Sequence, residues 1–386
     1  MVNFPERVEI RMYHTPNLTG LRKRLIPKRI NEGWGLQHIK LYGIDDEVIL
    51  SGANLSSDYF TNRQDRYHVF SSKRVSDYFA RIHHAVCSIS FLLQAGDSSS
   101  PASHTLIWPS SNPAPNPLSH PKRYISAATS LLLPLFSPAA SSTPIAPPSS
   151  TRQKSNATTT TTTLYPLLSH PPTLNTELPA LTTLLASPAL HSYTFTAGYF
   201  NPHPLITSSL LAASSNPTGT SKAALGTVLT ASPAANGFFN SPGISGLLPP
   251  AYSHLSLRFL QRVRRANGNI MLREWQRGVV GHKDGWTYHA KGIWAYFSGD
   301  GGVIGPGVTV IGSSNYTSRS YGLDLEVGAL VVTDDEVLMG KWRREEEGLR
   351  AWTTEVGEKE LGGEERRAGW RVRAAMWIVK VVGGSL

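Results

Sequence analysis

The chain has 386 residues, of which 40% are hydrophobic and 17% are charged, so it is long enough for more than one packed core. Lysine and arginine number 37 against 27 aspartates and glutamates, a net charge of +10 that favours an anionic partner such as nucleic acid, a phosphorylated metabolite or an acidic membrane surface. The single cysteine excludes an intramolecular disulfide and a cysteine-based zinc site. No stretch reaches the roughly 18 apolar residues of a membrane span.

The first ordered region is predicted within residues 1–95. Alternating residues in RVEIRMY predict a strand, and HIKLYGI with EVILSGA predict a hairpin that turns at Asp45 and Asp46. Apolar residues at helical spacing from Val75 to Leu93 then predict an amphipathic helix.

The composition changes abruptly over residues 96–192. Serine, threonine, proline and alanine dominate, charges are few, and no apolar period persists. Such a segment lacks the contiguous apolar surface that would offset the entropy of ordering it. We therefore expect a low-complexity, disordered insert between two ordered regions.

Order is predicted to return over residues 193–345. A helix is predicted from Tyr252 to Arg265, and strands are predicted in YTFTAGYF, LGTVLTASP, IMLREWQR, TYHAKGIWAYF, GVTVIG and LEVGALVVT. Residues 346–386 begin with a charged segment and end in a tail that mixes basic and aromatic residues, WRVRAAMWIVKVV. This tail fits either an anchor at an anionic membrane surface or an element packed on the domain.

The two ordered regions carry the same series of residues, which indicates an internal duplication. The first copy contains His38, Lys40, Asp45, Gly52, Asn54 and Asp65. The second copy contains His289, Lys291, Tyr296, Gly312, Asn315 and Glu326. In both copies the distal carboxylate follows the asparagine by 11 residues, so the two copies are interpreted as two halves of one site.

Each residue type in this series has a chemical use at a phosphate. In a strand, side-chain alternation places the histidine and the lysine of an H-x-K motif on one face. Histidine can attack phosphorus or move a proton near neutral pH, while lysine and asparagine offer charge and N–H donors to phosphate oxygens. A carboxylate can fix the tautomer of the histidine. Two such histidines on opposite sides of a phosphodiester supply a nucleophile and a general acid without a metal or cofactor.

The doubled motif resembles that of the phospholipase D superfamily, whose members bring two H-x-K-x4-D motifs together at a pseudo-twofold site. Around the motif, GLQHIKLYGIDDEVILSGANLSSDYFTNRQDRY, ASPAANGFFNSPGISGLLPPAY and VIGSSNYTSRSYGLDLE resemble the mitochondrial CDP-diacylglycerol–glycerol-3-phosphate 3-phosphatidyltransferases, as part of a resemblance over about residues 5–94 and 193–345. It implies an α/β phospholipase D-like fold with two sheet-centred halves around one active site.

The same resemblance implies a reaction and its partners. A phosphatidyl group passes from CDP-diacylglycerol to glycerol 3-phosphate through a phosphatidyl-histidine intermediate, and CMP is released. Both reactants are anionic and the product is a lipid, which suits the basic charge of the chain. The resemblance also implies peripheral attachment at the mitochondrial inner membrane, an anionic membrane surface as a partner and no nucleic acid. Two alternatives remain, which are phospholipase D-type hydrolysis with water as the acceptor and an inactive fragment that binds lipid.

The resemblance also assigns roles to individual residues. The catalytic set comprises His38, His289, Lys40, Lys291 and the first motif's acid, Asp45, which is expected to support the strand-turn geometry. The resemblance implies one histidine as nucleophile and the other as general acid and base without saying which; we take His38 as the nucleophile and His289 as the acid and base. Phosphate binding and support fall to Asn54, Asn315, Asp65 and Glu326. Because Tyr296 stands where the second motif would have its aspartate, we expect Glu326 to orient His289.

The start of the chain is short for such a fold. Only 37 residues precede His38, fewer than a phospholipase D-like half needs before its motif. The sequence therefore predicts an N-terminally truncated first half, with any targeting sequence missing as well. The first residues resemble neither a signal peptide nor a transit peptide.

Overall fold

The structure is a computed structural model that describes residues 8–26, 28–95, 104–136, 160–215, 223–299, 302–303 and 305–381. It is a mixed α/β structure, as the sequence predicts. The strands are β1 Arg11–Met12, β2 Leu41–Ile44, β3 Glu47–Ser51, β4 Arg63–Gln64, β5 Tyr67–Ser71, β6 Phe91–Ala95, β7 His104–Ile107, β8 Thr162–His170, β9 Leu174–Asn175, β10 Leu190–Ala197, β11 Leu225–Ala231, β12 Ile270–Trp275, β13 Thr287–Tyr288, β14 Lys291–Gly299, β15 Gly302–Val303, β16 Val308–Gly312, β17 Glu326–Thr333 and β18 Thr353–Glu355. The α-helices are α1 Gly20–Leu25, α2 Lys73–Ser88, α3 Pro121–Phe136, α4 Glu177–Leu185, α5 Pro204–Ser214, α6 Leu248–Arg265, α7 Ser318–Gly322, α8 Glu336–Arg350, α9 Glu358–Gly362 and α10 Trp370–Val381.

A large central sheet organises the second half. Its order is β18-β12-β11-β10-β14-β16-β17-β8-β9, and β15 pairs beside β14. β10, β11 and β12 run parallel, and α5 and α6 make the two crossovers between them, since parallel neighbours need such long connections. The other neighbours pair antiparallel.

The first half contains two smaller sheets, β2-β3-β5 and β1-β6-β7. β2 and β3 form the predicted hairpin, which turns at Asp45 with a φ of 51°, a left-handed conformation that aspartate tolerates. α2 buries Val75, Phe79 and Ile82 as its apolar period predicts. It ends before the predicted boundary at Leu93, because the following residues pair with β1 as strand β6.

The prediction of a disordered insert over 96–192 is wrong for the residues described there, 104–136 and 160–192. α3 buries Tyr124, Ala128 and Leu132, which recur at the four-residue spacing of one helix face. β8 pairs with β17 along its whole length and so becomes part of the central sheet. The rest of the segment lies outside the described residues.

The predicted boundary after residue 345 also differs from the structure. It falls inside α8, and β18 beyond it adds an antiparallel strand beside β12. The predicted tail is helix α10, which buries Val372 near Ala251 of α6. The tail is thus a packed element, although both of its tryptophans remain exposed.

Two hydrophobic cores cover the two faces of the central sheet. On one face, α2, α3 and α8 contribute Phe79, Leu132 and Trp342 to a cluster that includes Trp294 of β14. On the other face, α4, α5 and α6 pack on the sheet in a second cluster. Within the described ranges, no helix combines the length and apolar character needed to cross a membrane.

Candidate active site

The two halves meet through a reciprocal pair of backbone hydrogen bonds. The N–H of His38 donates to the carbonyl of Leu325 at 2.9 Å, and the N–H of His289 donates to the carbonyl of Gln64 at 2.8 Å. Gln64 and Leu325 each stand directly before the distal carboxylate of their own copy. The pairing therefore brings each histidine next to the carboxylate of the other half.

The histidine side chains pair in the same way, each with the carboxylate of the other half. Nδ1 of His289 lies 2.7 Å from Oδ2 of Asp65, and Nδ1 of His38 lies 3.0 Å from each carboxylate oxygen of Glu326. The expectation that Glu326 orients His289 is therefore wrong. Both carboxylates do contact a histidine, but the backbone pairing between the halves exchanges their partners.

The lysines of both motifs are buried beside the histidines. Nζ of Lys291 lies 2.9 Å from Nδ1 of His289, and Nζ of Lys40 donates to the carbonyl of His38 at 2.7 Å. Burial lowers the pKa of Lys291 to about 8, against the opposing pull of Asp65 and Glu326. Burial lowers the pKa of Lys40 to about 7, Glu326 opposes this, and Lys291 adds to it. Each ammonium thus loses its proton more easily than a lysine in water.

Glycine at position 52 makes room for this arrangement. A Cβ there would lie 2.8 Å from Nζ of Lys291 and 2.9 Å from Oδ1 of Asp65. Nζ of Lys291 is also 3.4 Å from the Gly52 carbonyl. A side chain at this position would displace the groups that surround His289.

Burial also controls the protonation of the histidines. It lowers the pKa of His289 to about 3, with Lys291 adding to the effect and Asp65 opposing it. It lowers the pKa of His38 well below the usual value, with Lys40 and Lys291 adding to the effect. Both rings are therefore neutral in the free protein, the form in which histidine acts as a nucleophile or a base.

The two orienting carboxylates differ in charge. Burial alone would raise the pKa of both. At Asp65 the charge of Lys291 and the hydrogen bond from His289 outweigh burial, so the net shift is downward. At Glu326 burial outweighs Lys40 and the hydrogen bond from Ser313, and the pKa rises to about 7. His289 therefore faces an ionised carboxylate, whereas His38 faces one that is partly protonated near neutral pH.

The two asparagines occupy different environments. Asn54 is exposed, two residues beyond Gly52. Asn315 is half-buried, and among the residues that the structure describes its buried Oδ1 has no hydrogen-bond partner. Their roles on phosphate oxygens stay predictions.

Neither acid position of the motifs contributes a group to the histidines. Asp45 is exposed in the β2–β3 turn, at the end of β2 remote from Lys40, so its assignment to the catalytic set is corrected to a turn residue. The hydroxyl of Tyr296 donates to the carboxylate of Glu346 in α8, whose other oxygen accepts from Thr194 at 2.6 Å. Tyr296 therefore connects β14 to α8 through this hydrogen bond.

Sequence reasoning missed several residues around His289. The hydroxyl of Tyr59 lies 3.3 Å from its Nδ1, and the ring of Tyr199 lies 5.5 Å from its ring. The guanidinium of Arg63 lies over the Tyr59 ring at 4.6 Å. The basic residues on both sides of Asp65, in NRQDRY, were the available signal for Arg63 and Arg66.

Comparison of the whole chain with known proteins identifies related enzymes. A scan against protein-family models finds no match. The chain is 44% identical over 379 residues to the CDP-diacylglycerol–glycerol-3-phosphate 3-phosphatidyltransferase of Saccharomyces cerevisiae. The aligned region covers 97% of this chain and 71% of the relative. The enzyme of the same name from Schizosaccharomyces pombe is 38% identical over 384 residues, 91% of this chain and 72% of the relative. The mitochondrial enzyme of Mus musculus is 34% identical over 370 residues, 90% of this chain and 61% of the relative.

Among solved structures, phosphatidylserine synthase from Haemophilus influenzae matches with a TM-score of 0.61 at 18% identity, over 91% of this chain and 70% of that chain. This likeness shows the fold and confirms the prediction of a phospholipase D-like α/β architecture. The yeast match spans 97% of the chain and so reaches well into 96–192, where the sequence suggested no resemblance. Such identity over nearly the whole length shows that the chain belongs to the CDP-diacylglycerol–glycerol-3-phosphate 3-phosphatidyltransferase family.

Proposed function

We propose that the chain transfers a phosphatidyl group from CDP-diacylglycerol to glycerol 3-phosphate, forming phosphatidylglycerophosphate and CMP. The supporting observation is the pair of histidines, His38 half-buried and His289 buried, each held by a carboxylate of the other half, in a chain 44% identical to an enzyme named for this reaction. Two neutral imidazoles at one site suit a double displacement at phosphorus.

His38 is the nucleophile of the first step. Glu326 occupies its Nδ1, which leaves Nε2 to attack the phosphorus of the phosphatidyl group. A P–N bond forms as the P–O bond to CMP breaks, and His289 gives its proton to the departing oxygen. Lys40, Lys291, Asn54 and Asn315 hold the phosphate oxygens.

His289 exchanges the proton in both steps. The ionised carboxylate of Asp65 favours its imidazolium, and the negative charge of a bound diphosphate adds to this, so substrate raises the low pKa of the free site. In the second step a hydroxyl of glycerol 3-phosphate attacks phosphorus and returns a proton to His289. The P–N bond breaks, and His38 is restored.

The reaction is tested with purified full-length protein, vesicles that contain CDP-diacylglycerol, and labelled glycerol 3-phosphate. We expect phosphatidylglycerophosphate and CMP in equal amounts. A lipid labelled at the phosphatidyl phosphorus should leave an acid-labile label on the protein that is absent in His38→Ala. Phosphatidic acid as the product indicates hydrolysis instead, and lipid binding without any product overturns catalysis.

We further propose that the active-site mouth meets an anionic membrane surface. Two segments near the site carry exposed apolar side chains. The connection between β3 and β4 carries Leu55, 72% exposed, just beyond Asn54, and Phe60, 68% exposed, next to Tyr59; the segment that follows Gly237 carries Ile244, 62% exposed. Gly237 in turn lies close to Tyr199 and Arg63. Since the substrate is a lipid, apolar residues at this position suit insertion into a bilayer.

The short helix α1 adds a basic element to this proposal. Its sequence GLRKRL exposes Leu21 and Leu25 on either side of three consecutive basic residues. Such basic residues attract anionic lipids, each contributing about 1 kcal/mol near the surface. The exposed Trp370 and Trp377 of α10 form a second candidate contact.

Vesicle flotation tests the membrane surface, with phosphatidylcholine vesicles that contain or lack phosphatidylglycerol. We expect Leu55→Ser combined with Phe60→Ser to reduce flotation with the anionic vesicles. Ile44→Ser is the matched control, because Ile44 is 70% exposed beside the β2–β3 turn. If only Trp370→Ser with Trp377→Ser reduces flotation, the tail rather than the mouth meets the membrane.

We propose the mitochondrial inner membrane as the location, with peripheral attachment. The support is that the relative from Mus musculus is named mitochondrial. Fractionation of cells that produce the full-length natural protein tests this, and we expect the protein in the inner-membrane fraction and its release by alkaline carbonate. Recovery in another compartment contradicts the proposal.

A further inference from the structure

Arg66, directly after Asp65, is a buried charge that the reaction scheme does not use. Its side chain is 0% exposed, and its guanidinium lies 3.9 Å from the ring centroid of Trp294. A buried arginine is costly unless its donors are paired, so its partners indicate why it is tolerated there.

The five N–H donors of this guanidinium all have acceptors. Nη1 donates to the carbonyls of Lys291 and Val310 at 3.1 and 2.8 Å. Nε and Nη2 donate to the two carboxylate oxygens of Glu345 at 3.0 and 2.9 Å. Nη2 also donates to Oγ1 of Thr309 at 3.0 Å. These acceptors belong to the second half, although Arg66 belongs to the first; a further contact, from Nη2 to Nε2 of His68 at 3.4 Å, lies within the first half.

The main chain of Arg66 is fixed to the catalytic groups as well. Its N–H donates to Oδ1 of Asp65 at 2.8 Å, and Oδ2 of Asp65 holds His289. Arg66 thus contacts the carboxylate that orients His289 and also the backbone of Lys291, whose Nζ lies beside the same ring. The relative positions of these three groups therefore depend on one residue, whose main chain holds Asp65 and whose side chain holds the backbone of Lys291.

The backbone next to Lys291 is shaped around this guanidinium. Gly292 has a φ of 151°, and a Cβ there would lie 1.6 Å from Nη1 of Arg66. Any side chain at residue 292 would therefore expel the arginine. In the second copy, the residue after Glu326 is Val327, so this arrangement serves only the His289 side.

The ion pair with Glu345 completes the arrangement. Burial would raise the pKa of Glu345, but the charge of Arg66 and the hydrogen bond with His68 hold it well below its usual value. Glu345 also accepts from the indole Nε1 of Trp294 at 3.2 Å. The carboxylate is therefore ionised and keeps the guanidinium in one orientation.

We propose that Arg66, held by Glu345, is a positioning residue that fixes Asp65 and Lys291 of opposite halves around His289. Its role in turnover rests on the proposed function, but its effect on the His289 ring does not. Arg66 contacts neither His38 nor Glu326 in the described structure, so its influence falls mainly on the His289 side and reaches His38 only through the charge of Lys291.

The test compares Arg66→Lys and Glu345→Gln with the natural protein. Lysine keeps the charge but cannot make the fork of hydrogen bonds, so we expect kcat to fall about 10- to 100-fold with KM for CDP-diacylglycerol within about twofold. Glu345→Gln keeps the shape and should lower kcat less. Without any substrate, the ring ¹⁵N signals of His289 should shift in both variants, and those of His38, which senses Arg66 only through the charge of Lys291, should shift much less.

Arg366→Gln is the matched control. Arg366 pairs with the buried Glu274 at a distance of 2.6 Å, and neither residue contacts His38 or His289 in the described structure. This substitution should cost stability and leave both the kcat of the folded protein and the His289 signals unchanged. The proposal is overturned if the His289 signals of Arg66→Lys and Glu345→Gln match those of the natural protein. It is also overturned if both histidines shift equally, which indicates general loosening. If the signals shift as expected but no transfer activity exists, only the proposed function fails.

Discussion

Asp65 accepts a hydrogen bond from His289 at 2.7 Å across a separation of 224 residues in the chain. The counterpart contact joins His38 and Glu326 across 288 residues. Each half therefore supplies one histidine and the carboxylate that orients the histidine of the other half.

Asp65→Asn and Glu326→Gln should separate the two pairs. An orienting carboxylate fixes the tautomer of its histidine, so each change should lower kcat by about 10²- to 10⁴-fold. The ring ¹⁵N signals should change for His289 in Asp65→Asn and for His38 in Glu326→Gln. The opposite assignment of signals contradicts the exchange of partners.

Tyr296→Phe should be mild by comparison. The tyrosine hydroxyl bonds Glu346 and reaches neither histidine in the described structure, so its loss should cost about 1 kcal/mol of stability and leave kcat within about twofold. Urea unfolding and initial rates measure the two effects. A larger loss of kcat in Tyr296→Phe than in Glu326→Gln would refute this ranking.

The pH dependence of kcat/KM should reflect the titration of the two lysines. Burial lowers the pKa of Lys40 to about 7 and that of Lys291 to about 8, so raising the pH removes the positive charge that holds phosphate. We expect kcat/KM to begin to fall near pH 7, as Lys40 loses its proton, and to fall more steeply above pH 8, as Lys291 does. Lys291→Arg stays charged and should move the steeper part of this decline to higher pH, at a lower maximal rate. A decline at the same pH in the variant assigns it to another group.

Gly52→Ala should damage the site without unfolding the protein. Its Cβ would press on Nζ of Lys291, which is held by its buried surroundings, so we expect a loss of about 10- to 100-fold in kcat/KM. Gly43→Ala is the control in the same hairpin, because its nearest neighbour would be 4.0 Å away. Equal activities of the two variants, both with native circular dichroism, would show that the space at Gly52 is not critical.

The segment over 96–192 should contribute to stability. Leu132 of α3 is 0% exposed, so Leu132→Ala should lower the free energy of unfolding by about 2–5 kcal/mol. Leu133→Ala changes a side chain that is 48% exposed and should cost within about 0.5 kcal/mol. Urea denaturation measures both. A small effect at Leu132 would indicate that α3 is not part of the core.

The sequence was informative where the pattern is local. Alternation of side chains predicted the hairpin around Asp45 and the strands that became β10 to β12, because period and turn chemistry are properties of a few adjacent residues. The duplicated series predicted which histidines, lysines and distal carboxylates come together. Repetition at a fixed offset is detectable without knowing how the halves pack.

The exchange of carboxylates was not predictable from this pattern. Both copies place the carboxylate at the same offset, so pairing within a half and pairing between halves fit the sequence equally well. The choice depends on which strands meet, here β4 with β13. Arg66 was missed for a related reason, since the acceptors that justify burying it come from β14, β16 and α8.

The exchanged carboxylates also have a consequence during synthesis. A ribosome that has made His38 and Lys40 must still add Glu326, 288 residues beyond His38, before that histidine has its partner. On the proposed mechanism, the nascent chain lacks the partner of His38 until Glu326 has been made, and neither half released by proteolysis retains a complete pair of a histidine and its carboxylate. Transfer activity therefore requires both halves of the chain.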